Sequence, residues 1–397
     1  MGSVEADAMS APNDSPEAWE LFVPGRVCLF GEHTDWAATY PGPDGGPGRP
    51  GLALVAGTTQ GLYATVTARR IPPGTRPTLT LQATVPADVA PPTSADGSSG
   101  ESHPERAWPL DDVAVLEADA RRGGFFSYAA GAASVVLRRF PGVALRSQRD
   151  LRINNHTTTL PVRKGLSSSA AICVLVARAL GKAFGLDLTT SDEMELAYLG
   201  EIATPSRCGR LDQACAFGPR PSLLEFRGEH LAATPVTVRS PGALHLIVVD
   251  LAAGKDTREI LRQLNACYPA PRTPIQAAVH RFLGELSPAL TCRALAAVEA
   301  ADAAKLGALM AESQRLFDRD VAPACPRELA APVLHRLLAH PPLQPLVYGG
   351  KGVGSQGDGS AQLVARDAAT QEAAIALIER DFPGMRCWPL TLAATND

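Results

Sequence analysis

The chain has 397 residues, 45% hydrophobic and 20% charged, which suits two or three globular domains of roughly 150 residues each and excludes a disordered chain, a coiled coil or a fibre. Lys+Arg of 37 against Asp+Glu of 41 leaves a formal charge of −4, so no global field draws the protein to nucleic acid or to an anionic membrane. Eight cysteines without a C-x-x-C pair fit neither a zinc spacing nor a compact disulfide framework and predict free thiols.

Residues 1–18 are polar, Pro-bearing and aperiodic and are expected to be a disordered tail. Their acids and prolines stand where a signal peptide has a basic end and an apolar stretch, and no run of about 18 apolar residues occurs elsewhere, so a cytoplasmic, non-membrane protein is expected. Leu21 to Phe30, Leu52 to Ala56 and Gly61 to Ala68 alternate apolar and polar residues with β-branched content and read as strands. The Gly/Pro/Ser-rich stretches 41–50 and 86–105 read as surface insertions. Tyr128 to Arg139, Ser168 to Phe184 and Ser191 to Ile202 have helical spacing, and the second is apolar around most of its circumference, as a buried helix is.

His245 to Asp250 reads as a buried strand opening a second half, with the boundary near 240. Helices follow near 274–286, 291–299, 301–317 and 328–339, then a Gly-rich, strand-flanked loop at 346–366, a helix at 368–380 and a last strand. Lys255 to Arg258, after the first of these strands, reads as a solvated turn, with a segment that reaches a substrate phosphate as the alternative.

Three stretches carry chemistry. In Leu160 to Ala171 (LPVRKGLSSSAA) an extended segment meets Gly165, three serines and the apolar helix. Unpaired N–H groups and the positive end of the dipole at such a helix start bind phosphate, and small residues let a polyphosphate approach the backbone. Pro24 to Trp36 (PGRVCLFGEHTDW) ends a strand at Gly31 and sets Glu32, His33 and Asp35 within four residues, acceptors suited to the hydroxyls of a polyol or sugar. Glu201 to Gln213 (EIATPSRCGRLDQ) spaces two carboxylates eleven residues apart, one able to hold Mg²⁺ and the other to face a hydroxyl nucleophile.

These stretches, in this order and with Tyr348 to Val364 (YGGKGVGSQGDGSAQLV), resemble the GHMP kinases, the superfamily of galactokinase, homoserine, mevalonate and phosphomevalonate kinases, over roughly residues 20–395. PGRVCLFGEHTDW, the first of them along the chain, is most similar to the sugar motif of the galactokinase branch, and GLSSSAA resembles the ATP-phosphate loop. The resemblance implies an α+β fold of two domains, with a ribosomal-protein-S5-domain-2-like ATP-binding domain at 19–240, a ferredoxin-like domain at 241–397, and the site in the cleft between them. It implies that Asp212 is the base with Arg26 beside the catalytic centre, and that Glu32, His33, Asp35 and Trp36 bind substrate. ATP is then cradled by Lys164, Gly165, Leu166, Ser167, Ser168, Ser169 and Ala170 with Gly352 and Gly354, and Mg²⁺ is held by Ser169 and Glu201. Cys28, Phe30 and Trp36 replace the usual Asn, Ile and Tyr, Arg163-Lys164 stands where small residues are preferred, and Asp358 breaks the third motif.

The function implied is ATP- and Mg-dependent phosphorylation of the anomeric hydroxyl of a sugar or sugar acid, with small-molecule partners and no nucleic acid or membrane. A mevalonate-like alcohol kinase and a non-catalytic sugar and ATP sensor are the alternatives. Gly352 to Gly357 matches G-x-G-x-x-G but precedes a strand-like run instead of opening a helix, which argues against a dinucleotide fold.

Overall fold

The computed structural model describes residues 16–41, 48–84, 104–160, 166–206, 208–228, 230–239 and 241–394. The tail up to residue 15 and the interiors of both insertions lie outside the described residues. Strand β1 (Glu17–Phe30) starts inside the stretch read as tail, because Glu17 and Ala18 pair with Ala68 and Thr67 and Arg149 clasps the Glu17 carboxylate. A turn at Gly31, whose φ is +95°, leads into the short helix α1 (Thr34–Ala37). Strand β2 (Gly51–Arg70) is one strand of 20 residues, not the two expected. Its interior glycines make no turn: a Cβ on Gly57 would stand 2.1 Å from the Gly218 carbonyl and one on Gly61 2.4 Å from the Phe22 ring, so they serve close approach.

Next come β3 (Thr78–Ala83), β4 (Glu105–Pro109), α2 (Val113–Arg122), α3 (Ser127–Arg139), α4 (Val143–Ser147), β5 (Arg149–Thr158), α5 (Ser168–Ala183), α6 (Thr190–Ile202), a 3-10 turn at Asp212–Phe217, β6 (Ser222–Arg227) and β7 (His230–Pro235). The sheet runs β4-β3-β5-β2-β6-β7, with β1 paired antiparallel to β2 off that path, and among the described strands only β3–β5 is parallel. Helix α5 is buried nearly all round, and its one charged intrusion is clamped: Arg178 donates to Glu193 of α6 at 2.7 Å and to the Ala216 carbonyl at 2.8 Å. Helices α3 and α6 cross where both are bare, since a Cβ on Gly131 would stand 2.2 Å from the Gly200 carbonyl. That crossing and the α5 clamp hold the end of α6, where Glu201 sits.

Strand β8 (Ala243–Asp250) belongs to a second sheet. Residues Thr257–Asn265 form α7, an amphipathic helix capped by Asp256, whose side chain accepts from the amides of Arg258 and Glu259. The reading of 255–258 as a solvated turn is therefore corrected: Asp256, four positions before the buried Ile260, caps a helix start. Helix α8 (Pro274–Arg281) runs through a wide turn at Phe282–Leu286 into α9 (Ser287–Glu299), followed by α10 (Ala303–Asp320), α11 (Pro326–Leu329) and α12 (Pro332–Leu338). Strands β9 (Val347–Gly352) and β10 (Ser360–Ala365), helix α13 (Ala368–Asp381) and β11 (Arg386–Ala393) complete a four-stranded antiparallel sheet in the order β11-β8-β10-β9. In chain order that is 4-1-3-2, the ferredoxin-like arrangement.

One apolar core spans both sheets, joining Val27, Leu54 and Val174 to Leu246, Leu306 and Val364. Two bulges in β1 connect it to the rest. The irregularity at Gly25 lets the Arg26 amide bond the Leu166 carbonyl at 3.2 Å. The one at Leu29 frees carbonyls that the buried Gln362 amide of β10 fills, at 2.9 Å to Cys28 and 3.2 Å to Leu29. Among the described residues no helix is long and apolar enough to cross a membrane.

Candidate active site

The three motifs converge. Arg26, 4% exposed, donates through Nε to the Leu211 carbonyl at 3.1 Å and through Nη2 to Asp212 Oδ1. Ser167 Oγ donates to the same oxygen at 2.7 Å, so the serine loop, the first motif and the 3-10 turn meet at one carboxylate. Both bonds fall on Oδ1, and the Asp212 side chain keeps 30% of its surface exposed. Arg26 Nη1 is buried with no hydrogen-bond partner among the described residues.

Ser167 itself has φ +58°, a left-handed turn that starts α5 without a side-chain cap. Ser167, Ser168 and Ser169 are half-buried, whereas Leu166 and Ala170 point into the core at 1% and 0% exposure, so they act there through backbone alone. Lys164 and Gly165 lie outside the described residues, as does Arg163. Glu201 is buried at the end of α6 and accepts from the Gln213 amide at 2.8 Å. Burial first, and then the charge of Asp212, push its carboxyl up to about 7, with the facing Ser169 hydroxyl and Gln213 amide pulling back.

The first motif turns inward because Gly31 and His33 both adopt positive φ, and a Cβ on Gly31 would stand 2.0 Å from the Leu52 carbonyl. Asp35 is buried and accepts from the Leu211 amide at 3.3 Å. It fits only because residue 209 is glycine, whose Cβ would stand 1.8 Å from Asp35 Oδ2. Burial raises the Asp35 carboxyl, and Asp212 adds to the shift. Burial likewise raises Glu32, although Lys351 of β9 donates to it directly. His33 accepts the Trp36 indole N–H at 3.2 Å on Nδ1, and burial pushes its imidazole down to about 4.

Trp36 packs edge-on against Tyr40 and Tyr268, with ring centroids 6.4 and 5.5 Å apart, and its nitrogen is spent on His33. It orients the imidazole from within an aromatic cluster. Gly352 and Gly354 sit on the Glu32 side: Gly352 pairs with Ala361, and its carbonyl accepts from Lys351 at 3.0 Å and Gln356 at 3.2 Å. Asp358 accepts from the Leu334 amide at 2.9 Å, so the residue that breaks the third motif caps α12.

Lys351, Gln213 and Gly209 were missed by sequence reasoning. The first was signalled by a lone lysine among glycines in YGGKG and the second by the D-Q pair itself. The residues present fit a polyphosphate and a divalent cation. An uncapped helix start and a buried guanidinium nitrogen without a partner among the described residues suit an anion, and a hydroxyl and a buried carboxylate are hard oxygen donors.

Residues 127–219 match the family described as the GHMP kinases N terminal domain. No curated protein matches the chain in sequence. Among solved structures, L. major mevalonate kinase in complex with R-mevalonate is 18% identical, covering 98% of this chain and 100% of its own at a TM-score of 0.66. Lactococcus lactis galactokinase complexed with galactose is 19% identical over 95% and 94% at 0.63. Streptococcus pneumoniae phosphomevalonate kinase in complex with phosphomevalonate and AMPPNP is 14% identical over 94% and 99% at 0.61. The family signature covers the helices that carry Ser169 and Glu201, so residues 127–219 match a GHMP kinase N-terminal domain, and the fold is shared end to end with these kinases.

Proposed function

We propose that this protein is an ATP- and Mg²⁺-dependent kinase that phosphorylates a hydroxyl of a sugar or sugar acid, the anomeric one in the galactokinase-like reading. The observation that carries it is the meeting of Arg26, Ser167 and Asp212 at the start of α5. Asp212 Oδ1 is held by both neighbours, which leaves Oδ2 for the proton of an acceptor hydroxyl. A general base there contributes about 10²- to 10⁴-fold. Arg26 fixes that base and keeps one N–H for developing negative charge on the transferring phosphoryl group, a reaction that rests on positioning and charge neutralisation.

Ser167 to Ala170 offer backbone N–H groups to the nucleotide phosphates, with Gly165 and Lys164 upstream. Ser169 and Glu201 would hold Mg²⁺, which when bound supplies charge neutralisation for the phosphates. Asp35 and His33 line the acceptor end, with Glu32 and Trp36 behind them. The galactokinase motif GEHTD favours a sugar over a mevalonate-like alcohol, because a polyol needs several carboxylate and imidazole acceptors.

The test is ADP release with Mg-ATP across galactose, galacturonate, glucuronate, arabinose, fucose and mevalonate. Turnover with a sugar that disappears in Asp212→Asn is the expected result. Silence across the panel while ATP still binds would favour the non-catalytic sensor.

A further inference from the structure

Charge is polarised along this cleft. At the catalytic end stand Asp35, Glu201 and Asp212, with Arg26 bonded to Asp212. At the other end Glu32 is already neutralised by Lys351, and a second ammonium, Lys255, stands beside that pair. Its Nζ contacts two backbone carbonyls, Gln356 at 2.6 Å and Val353 at 3.4 Å, and no carboxylate among the described residues. Carbonyl dipoles hold an ammonium in place without cancelling its charge.

The seat for this lysine is built. A Cβ on Gly359 would stand 2.6 Å from Lys255 Cε, so the β9–β10 hairpin is bare where the side chain crosses it. The same corner holds His33, 5% exposed, whose ring meets the Ser355 backbone. The Thr257 and Ser355 hydroxyls, 3.1 Å apart and exposed, add neutral donors at its rim. None of the Lys255 contacts runs to α5, where the nucleotide phosphates are placed.

We infer that the acceptor is an anionic sugar, carrying a carboxylate or phosphate whose oxyanion Lys255 binds while the reacting hydroxyl lies at Asp212. This rests on the kinase reading of the same cleft and narrows its substrate class. The lysine rejects neutral sugars by remaining uncompensated when they bind, and a charge-assisted bond of this kind is worth about tenfold or more in affinity.

Calorimetric titration of the full chain without nucleotide, with galacturonate, glucuronate and galactose 6-phosphate against galactose and glucose, tests it. One anionic probe should bind about tenfold or more tighter than its neutral counterpart, and whether it is a uronate or the phosphate identifies the oxyanion. The preference should collapse in Lys255→Gln and return in Lys255→Arg, with ATP affinity unchanged in both. Equal binding of neutral and anionic sugars, a preference that survives Lys255→Gln, loss of ATP affinity alone, or no binding by any anionic probe overturns the inference. ADP release is measured separately: anion preference without turnover would remove the kinase reading and leave the Lys255 site standing.

Discussion

The Lys351 ammonium donates to the Glu32 carboxylate across 319 positions of sequence, with both side chains almost fully buried at 2% and 7% exposure. The contact joins the third motif to the first and ties the second sheet to the strand that carries Arg26. Removing one member leaves a buried, uncompensated charge. Glu32→Gln or Lys351→Met alone should each cost about 3 to 5 kcal/mol in denaturant unfolding. The double variant should cost clearly less than the sum, and additive losses would show that the two groups do not act as a pair.

At the catalytic end, Asp212→Asn should lower kcat by about 10²-fold or more while calorimetry still detects ATP binding. The amide keeps the shape but cannot accept from Arg26 and Ser167 and also take a proton. Near-normal turnover would remove Asp212 from the role of base.

Gly209→Ala adds a methyl group 1.8 Å from Asp35 Oδ2, which must then leave the Leu211 amide. A stability loss of about 1 to 3 kcal/mol is expected from overpacking. The KM for the acceptor should rise while that for ATP stays within about twofold, since the Asp35 carboxylate is held by the Leu211 and Trp36 amides. An unchanged acceptor KM would place Asp35 outside the substrate's reach.

His33 gives a pH signature. Its imidazole is pushed down to about 4 in the folded protein, below the ordinary 6.5, mainly by burial. A histidine kept neutral contributes stability that is fully present above pH 6.5 and is lost as pH falls toward 4, where the unfolded chain takes up a proton that the folded one refuses. Wild-type unfolding free energy should therefore fall by about 2 to 3 kcal/mol more than that of His33→Gln between pH 7 and 4.5. Parallel pH profiles would mean that His33 is solvated.

Local spacing made a large part of this protein legible. The apolar stripe of α5, the alternation in β1 and β8, and the Gly-flanked hairpin of β9 and β10 follow from residue periodicity, which belongs to the chain itself. Arg26, Ser167 and Asp212 were nameable from short motifs because each motif carries its own turn and donor chemistry. Where local rules misread the chain, a distant partner decided. Gly57 and Gly61 look like a turn until Gly218 and Phe22 are packed on them, and Lys255 looks solvated until the bare hairpin receives it. Tyr268 packs edge-on against Trp36 from 232 positions away, a contact that no local rule reads. Sequence by itself determined which groups are candidates for the chemistry of the site, through helix starts, glycine turns and paired acids. Only the tertiary structure decided which of those charges are cancelled and which stay open, because burial and Coulomb energy depend on separation in space and not along the chain.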